Sequence, residues 1–179
     1  MRRSLLVLVA AATPLAAQQQ QGTSTVAANA SVNATRSVWQ ISSSFVVRSA
    51  EQMPESLYAF KPTPAVRSFG QIIGHVADAQ YMFCSAVLGE NAPVSGSFEQ
   101  TATTKTALVK AIKDATTYCE RAYSLNDTPA AESITLFGQM KTTKLGSLVM
   151  NAAHDYEHYG NLVTYFRLKG MTPPSSQGM

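Results

Sequence analysis

The strongest constraint on the fold of this chain is a set of four long segments in which apolar residues recur with helical periodicity. These segments run from about Asn33 to Met53, Ser68 to Gly89, Thr103 to Ser124 and Thr143 to Lys169. No segment of convincing length alternates like a β-strand. Helices of roughly twenty residues span about 30 Å each, which is the size of a four-helix bundle. The pattern therefore predicts an all-α protein.

Residues with special backbone preferences mark the ends of these segments. Pro54 stops the first segment, and Gly170 follows the last one. Ser68 with Gln71 three residues later forms a capping-box pattern, and Gly89 is typical of a helix C-terminus. These signals predict where the helices begin and end.

The apolar positions of each segment predict which side chains face the core. They are Val38, Ile41 and Phe45 with the stem of Arg48; Ile72, Ile73, Val76, Ala79, Phe83 and Val87; Leu108, Ala111, Ile112, Ala115, Tyr118 and Cys119; and Leu145, Leu148, Val149, Ala152, Tyr156, Leu162, Val163 and Phe166. The connections over residues 89–102 and 125–142 are long enough to run the length of a bundle. Periodicity alone therefore leaves the helix directions open.

The N-terminus has the composition of a secretory signal. A basic start at Arg2 and Arg3 precedes an apolar run that is too short for a stable membrane span, and small residues follow up to Ala17. We therefore predict a signal peptide over residues 1–17, a disordered polar lead-in over 18–32, the bundle over 33–174 and a C-terminal tail over 175–179. An uncleaved membrane anchor is the alternative. Cleavage places the protein in the periplasm or outside the cell, without a stable membrane anchor.

The charge of the mature chain gives no case for binding nucleic acid. Removing the two arginines lowers the formal net charge from +3 to +1. A nearly neutral protein lacks the basic surface that phosphate backbones attract.

The chain has two cysteines, Cys84 and Cys119, each in a helical segment. Their spacing does not match a metal-binding motif, and an exported protein lies in a compartment that permits disulfides. A disulfide between them is one interpretation. Two buried free thiols that behave as small apolar residues are the other.

The chain has three histidines, and their placement suggests a metal site. His154 and His158 are four residues apart in one helical segment, so their imidazoles share a face. His75 lies in another segment. One ligand from one helix and a pair from another can form a three-nitrogen site in a bundle, with a position left for water or substrate. Zinc or nickel suits such ligands best, and manganese or iron can also occupy them.

Acidic residues near the histidines are candidates for orienting a ligand or relaying a proton. Asp78 lies one turn beyond His75, and Asp155 and Glu157 lie between the two histidines of the pair. The alternative is that these residues belong to the solvated helix surface.

Two stretches resemble a known family. The first runs from Tyr58 to Asp78, and the second runs from His154 to Gly170 and is followed by Pro173-Pro174. Both are similar to the matching parts of DinB-like (YfiT-like) proteins, which are unrelated to the DNA polymerase that shares the name. The resemblance covers about residues 33–174.

The resemblance implies a four-helix bundle with up-down-down-up connectivity and a divalent metal held by His75, His154 and His158. In that arrangement the second and third helices run parallel, which brings Cys84 and Cys119 to the same level. Better-understood relatives use the metal to activate a thiolate, in transfer of low-molecular-weight thiols or in isomerisation of maleylpyruvate. Such thiols are not expected to be abundant outside the cytoplasm.

Two functions follow as hypotheses. The first is a metal-dependent thiol S-transferase or hydrolase that acts on a small molecule through an activated thiol or water. The second is a non-catalytic metal-binding or stress-related structural bundle. A homodimer is compatible with either one.

Overall fold

The computed structural model describes residues 28–94 and 96–177, and it confirms the all-α prediction. The predicted signal peptide, most of the predicted lead-in and the last two residues lie outside this range. The elements in chain order are α1 (Ala30–Gln52), α2 (Phe69–Leu88), α3 (Phe98–Thr101), α4 (Lys105–Ala122), α5 (Asp127–Ala130), β1 (Ser133–Leu136), β2 (Met140–Thr143) and α6 (Lys144–Leu168). Two short 3-10 helices, at Glu55–Leu57 and Pro174–Ser176, complete the set of helices and strands in the described residues.

The ends of α2 follow the local sequence signals. The hydroxyl of Ser68 accepts the backbone N–H of Gln71, and the Gln71 side chain accepts the backbone N–H of Ser68. This reciprocal pair satisfies two backbone donors that a helix start leaves without intrahelical partners. Gly89 ends the helix with a left-handed φ of 70°, which glycine adopts without steric cost.

The start of α1 depends on a contact from a distant part of the chain. The Asp127 carboxylate accepts the backbone N–H groups of Ser31 and Val32, at 3.1 and 2.9 Å. The backbone N–H of Asp127 in turn donates to Asn29 Oδ1 at 3.0 Å. These bonds stabilise the first turn from Ala30, three residues before the predicted start.

Contacts at both ends of the helices give their directions. The helix α2 runs antiparallel to α6, because Phe69 packs on Phe166 whereas the Phe83 carbonyl accepts the Ser147 hydroxyl. The helix α1 runs parallel to α6. Its early residues form a groove with the early part of α6, and farther along the aromatic rings of Phe45 and Tyr159 stack.

The helices α2 and α4 run parallel and are joined by a disulfide. Near their N-termini Gly70 lies against Leu108, and near their C-termini Cys84 is bonded to Cys119 with 5.3 Å between the Cα atoms. Both cysteines are fully buried. The structure therefore contains the disulfide and not the pair of free thiols.

A short antiparallel hairpin, formed by β1 and β2, lies where the sequence indicated only a long connection. Four residue pairs, from Ser133–Thr143 to Leu136–Met140, hold the strands together. The residues Ser133-Ile134-Thr135-Leu136 do alternate between polar and apolar, but four residues is the lower limit of length for such a signal. The sequence indicated no strand of convincing length, so this short hairpin was not predicted.

The predicted core face of α1 was also wrong in part. Val38 and Ile41 are exposed, whereas Trp39 and Val46 are buried. Trp39 stacks on Tyr123 with ring centroids 4.2 Å apart, so the aromatic contact with α4 determines which way the helix faces. On α6, Val149 and Tyr156 are exposed as well, and the predicted faces of α2 and α4 are largely buried.

The largest cluster of buried apolar side chains draws on α1, α2, α4 and α6, and it includes Val76, Ala77 and Tyr159, which are close to the histidines in sequence. None of the helices in the described part of the chain is long and apolar enough to cross a membrane.

Candidate metal centre

The three histidines lie together on the facing surfaces of α2 and α6. His154 Nε2 is 3.2 Å from His75 Nε2 and 3.1 Å from His158 Nε2. One potential ligand atom from each of the three rings lies within 4.8 Å of the other two. His154 and His158 share a face because they are one turn apart, and the antiparallel pairing of α2 with α6 places His75 opposite them.

Glu99 holds the outer nitrogen of His75. Its Oε2 lies 2.9 Å from His75 Nδ1, and its Oε1 accepts Arg67 Nε at 2.8 Å. Although burial acts to raise the pKa of Glu99, the hydrogen bonds and charges of Arg67 and His75 keep it below the usual value. An ionised carboxylate can only accept, so the proton of a neutral His75 lies on Nδ1 and the lone pair on Nε2. A longer approach of Arg67 Nη2 to the same nitrogen, at 3.4 Å, is the weaker contact.

The short helix α3 brings Glu99 to the site. The Asp78 carboxylate accepts the Ser97 hydroxyl at 2.6 Å and the backbone N–H groups of Phe98 and Glu99 at 2.8 and 3.1 Å. The α3 backbone also packs directly on Gly74, where an added Cβ would lie 2.7 Å from the backbone nitrogen of Glu99. Asp78 and Gly74 therefore hold the segment that carries Glu99.

The histidine pair on α6 is held in the neutral form. Burial lowers the pKa of His154 to about 4, and the nearby His158 and His75 add to this effect. Burial also lowers the pKa of His158 to about 4, with further contributions from His75 and Arg67. Neutral imidazoles have a free lone pair, which a metal ligand requires.

These residues fit a divalent transition metal. Nitrogen atoms 3.1–3.2 Å apart are close to the separation required when each lies about 2.0–2.1 Å from a shared ion. Because Glu99 accepts a hydrogen bond from His75 Nδ1, the lone pair of His75 lies on Nε2, the atom nearest to His154. Three imidazoles with a carboxylate behind one of them form the usual environment of such an ion.

Two depressions border the histidines. The larger, of about 650 Å³, is lined by His158 and by the polar side chains of Arg67, Asn161 and Thr164. The smaller, of about 330 Å³, is lined by His75 and His154 and otherwise mostly by apolar side chains, namely Ala79, Met82, Phe83 and Phe137. A small molecule can therefore approach the histidine nitrogens from either side.

The acidic candidates from the sequence have different positions. Asp78 binds the start of α3 and acts on the site through Glu99. Glu157 is exposed and reaches His154 only through its charge. Asp155 is fully buried beside Gln80 in the core, and burial raises its pKa well above the usual value.

Glu99 is the site residue that sequence reasoning missed. It lies in the long connection after α2, with no helical periodicity to place it. A usable signal was the Ser97-Phe98-Glu99 sequence, a serine two residues before an acid, which is typical of a helix start. Such a signal predicts a short helix but not its contact with His75.

Comparison with known proteins agrees with this architecture. No curated protein matches the chain. The crystal structure of a DinB-like protein from Bacillus cereus ATCC 10987 superposes with a TM-score of 0.69, at 13% sequence identity, over 79% of this chain and 95% of that chain. A family profile described as the DinB superfamily matches residues 45–162, which is more than half of the chain. The chain therefore belongs to the DinB superfamily.

Proposed function

We propose that this protein is an exported metal-dependent enzyme that binds zinc or nickel through His75, His154 and His158. The observation that carries the proposal is the convergence of three imidazole nitrogens beside an open depression. A structural site has no need of such an opening, because its ion is saturated by protein ligands. Manganese and iron are the alternative ions.

The bound ion would supply Lewis acidity, which makes a water molecule or a thiol a nucleophile near neutral pH. The side chains of this protein would hold and orient the reactants. Glu99 keeps the proton of His75 on Nδ1, and Arg67, Asn161 and Thr164 present hydrogen-bond donors to the larger depression. This arrangement supports hydrolysis of, or thiol transfer to, a small electrophile.

Export is part of the proposal. It is supported by the composition of residues 1–17 and by the buried disulfide, which forms in oxidising compartments. The near-neutral charge of the mature chain supports a small-molecule substrate in preference to nucleic acid. Mass spectrometry of the secreted or periplasmic protein should give a mature N-terminus near Gln18. A full-length chain recovered from the cytoplasm would contradict this part.

Metal binding is tested by elemental analysis of the purified mature protein. We expect about one equivalent of zinc or nickel in the wild type. The His154→Ala variant should retain less than about a tenth of that, with unchanged helical content by circular dichroism, because one of three ligands is lost. Glu157→Gln is the matched control, since it removes an exposed charge on the same turn without touching a ligand. Full metal retention by His154→Ala would exclude the site.

Catalysis is tested separately with the metal-loaded protein. Panels of esters, amides and small electrophiles with added thiols should reveal a turnover that His154→Ala lacks. If the wild type turns over no substrate faster than His154→Ala does in either panel, the proposal of catalysis is overturned. The protein would then be a metal-binding bundle without enzymatic activity.

A further inference from the structure

The tip of the β1–β2 hairpin has an unusual turn beside the metal centre. Its two central residues, Phe137 and Gly138, have φ values of 53° and 73°, and the turn is closed by the Gln139 N–H donating to the Leu136 carbonyl. Hairpin turns with two positive φ values strongly favour Asn-Gly or Gly-Gly. A bulky phenylalanine at the first position is unfavourable for the backbone.

Packing within the described part of the chain does not account for this phenylalanine. The Phe137 side chain is 55% exposed, and its recorded ring contact is an edge-on approach to Phe83 at 5.9 Å. Met82, which belongs to α2, is 40% exposed. Both side chains line the smaller depression together with His75 and His154. An exposed apolar wall is thus held next to two of the metal-binding side chains.

The two sides of the metal centre differ in chemistry. Arg67, Asn161 and Thr164 lie on one side, and Met82, Phe83 and Phe137 lie on the other. Binding sites for small molecules combine apolar walls with a few polar groups that fix orientation. A ligand placed at the histidines would therefore meet hydrogen-bond donors on one side and an apolar surface on the other.

We propose that the hairpin tip is a recognition element for the apolar part of a metal-bound small molecule. The substrate class is then an amphipathic compound with a polar, metal-binding head and an alkyl or aryl group of moderate size, which lies against Phe137, Met82 and Phe83. This inference rests on the proposed metal function and deepens it.

The test uses two probes that share a metal-binding head, acetohydroxamate and hexanohydroxamate. Both are titrated calorimetrically into zinc-loaded wild type and into Phe137→Asn. Each fully buried methylene is worth about fourfold in affinity, so we expect hexanohydroxamate to bind the wild type at least tenfold more tightly. In Phe137→Asn this advantage should fall at least threefold, while acetohydroxamate affinity changes less than twofold.

The choice of asparagine separates recognition from a structural role. Asn-Gly suits the turn better than Phe-Gly, so the variant should unfold at the same or a higher urea concentration while losing the apolar wall. Leu168→Asn is the matched control, because Leu168 is similarly exposed, at 58%, at the far end of α6. This control should keep the full preference for the longer probe.

The outcomes that overturn the inference are distinct from those that overturn the metal function. Equal affinity of the two probes for the zinc-loaded wild type excludes an apolar recognition site. So does an unchanged preference in Phe137→Asn, or a loss of stability with equal weakening of both probes. Failure of the wild type to retain zinc, nickel, manganese or iron would overturn the proposed metal function itself and this inference with it.

Discussion

At the scale of single residues, the histidines provide the candidate ligand atoms, and Glu99 contacts one of these rings from behind. Its carboxylate bridges His75 and Arg67, with contacts of 2.9 and 2.8 Å. An imidazole without this partner can rotate or carry its proton on the other nitrogen, and the lone pair is then lost from the site. Glu99 therefore acts as a positioning residue.

Replacing Glu99 should weaken metal binding without unfolding the protein. We expect Glu99→Ala to bind zinc about 10–100-fold less tightly, measured by competition with a chelator of known affinity, because partners of ligating histidines have effects of this size. The zinc affinity of Glu99→Gln should lie between those of Glu99→Ala and the wild type, because the glutamine side-chain oxygen can still accept a hydrogen bond from His75 Nδ1.

Asp114→Asn is the control for the loss of one negative charge, because this carboxylate lies on the exposed face of α4 and pairs with Lys110. If Glu99→Ala binds zinc as tightly as this control, the carboxylate does not position His75.

At the scale of elements, α3 is only four residues long and depends on α2 for its position. Asp78 accepts three hydrogen bonds at its start, and Gly74 allows its backbone to lie directly on α2. A glycine within a helix is unfavourable for helix formation. Here the close approach of a second backbone gives the physical reason for it.

Gly74→Ala should therefore destabilise the protein and the site together. The added Cβ would lie 2.7–2.8 Å from backbone atoms of Phe98 and Glu99, so α3 must move. We expect a loss of about 1–3 kcal/mol in the free energy of unfolding, as for other overpacked positions, together with weaker zinc binding. Urea denaturation and chelator competition measure the two effects.

Gly160→Ala is the matched control in α6, since among the described residues no atom outside its chain neighbours and the nearby backbone of α6 lies within 4 Å of its added Cβ. It should leave metal binding unchanged and stabilise the helix by up to about 1 kcal/mol. Equal behaviour of the two alanine variants would show that α3 does not depend on close contact with Gly74.

At the scale of the whole molecule, the parallel pairing of α2 with α4 requires a long connection across the bundle, which contains α3. The disulfide closes a loop over a sequence separation of 35 residues near the C-terminal ends of both helices. Such a bond restricts the unfolded chain and ties two helices that are not joined by a short turn.

Removing the disulfide should lower stability substantially. The entropic model gives about 3–4 kcal/mol for a loop of this length. We expect that loss for the Cys84→Ala/Cys119→Ala variant, measured by urea denaturation against the oxidised wild type. Identical unfolding midpoints of the two proteins would show that the bond contributes nothing to the folded state.

Much of this protein could be predicted from patterns within single helices. The capping box at Ser68 and the glycine at Gly89 correctly gave the bounds of α2, because cap hydrogen bonds join residues a few positions apart. The four-residue spacing of His154 and His158 placed both on one face for the same reason. These features depend only on the geometry of one helix.

Other features depend on contacts between distant segments, and only the tertiary structure decided them. Trp39 is buried and Val38 exposed because the indole stacks on Tyr123, and Ala30 begins α1 because Asp127 caps it from 95 or more residues away. Glu99 and the Phe137 turn reach the histidines through the packing of α3 and of the hairpin. Local sequence specifies hydrogen bonds and periodicity along one helix, whereas the surface on which each helix packs is set by helix directions and long-range contacts.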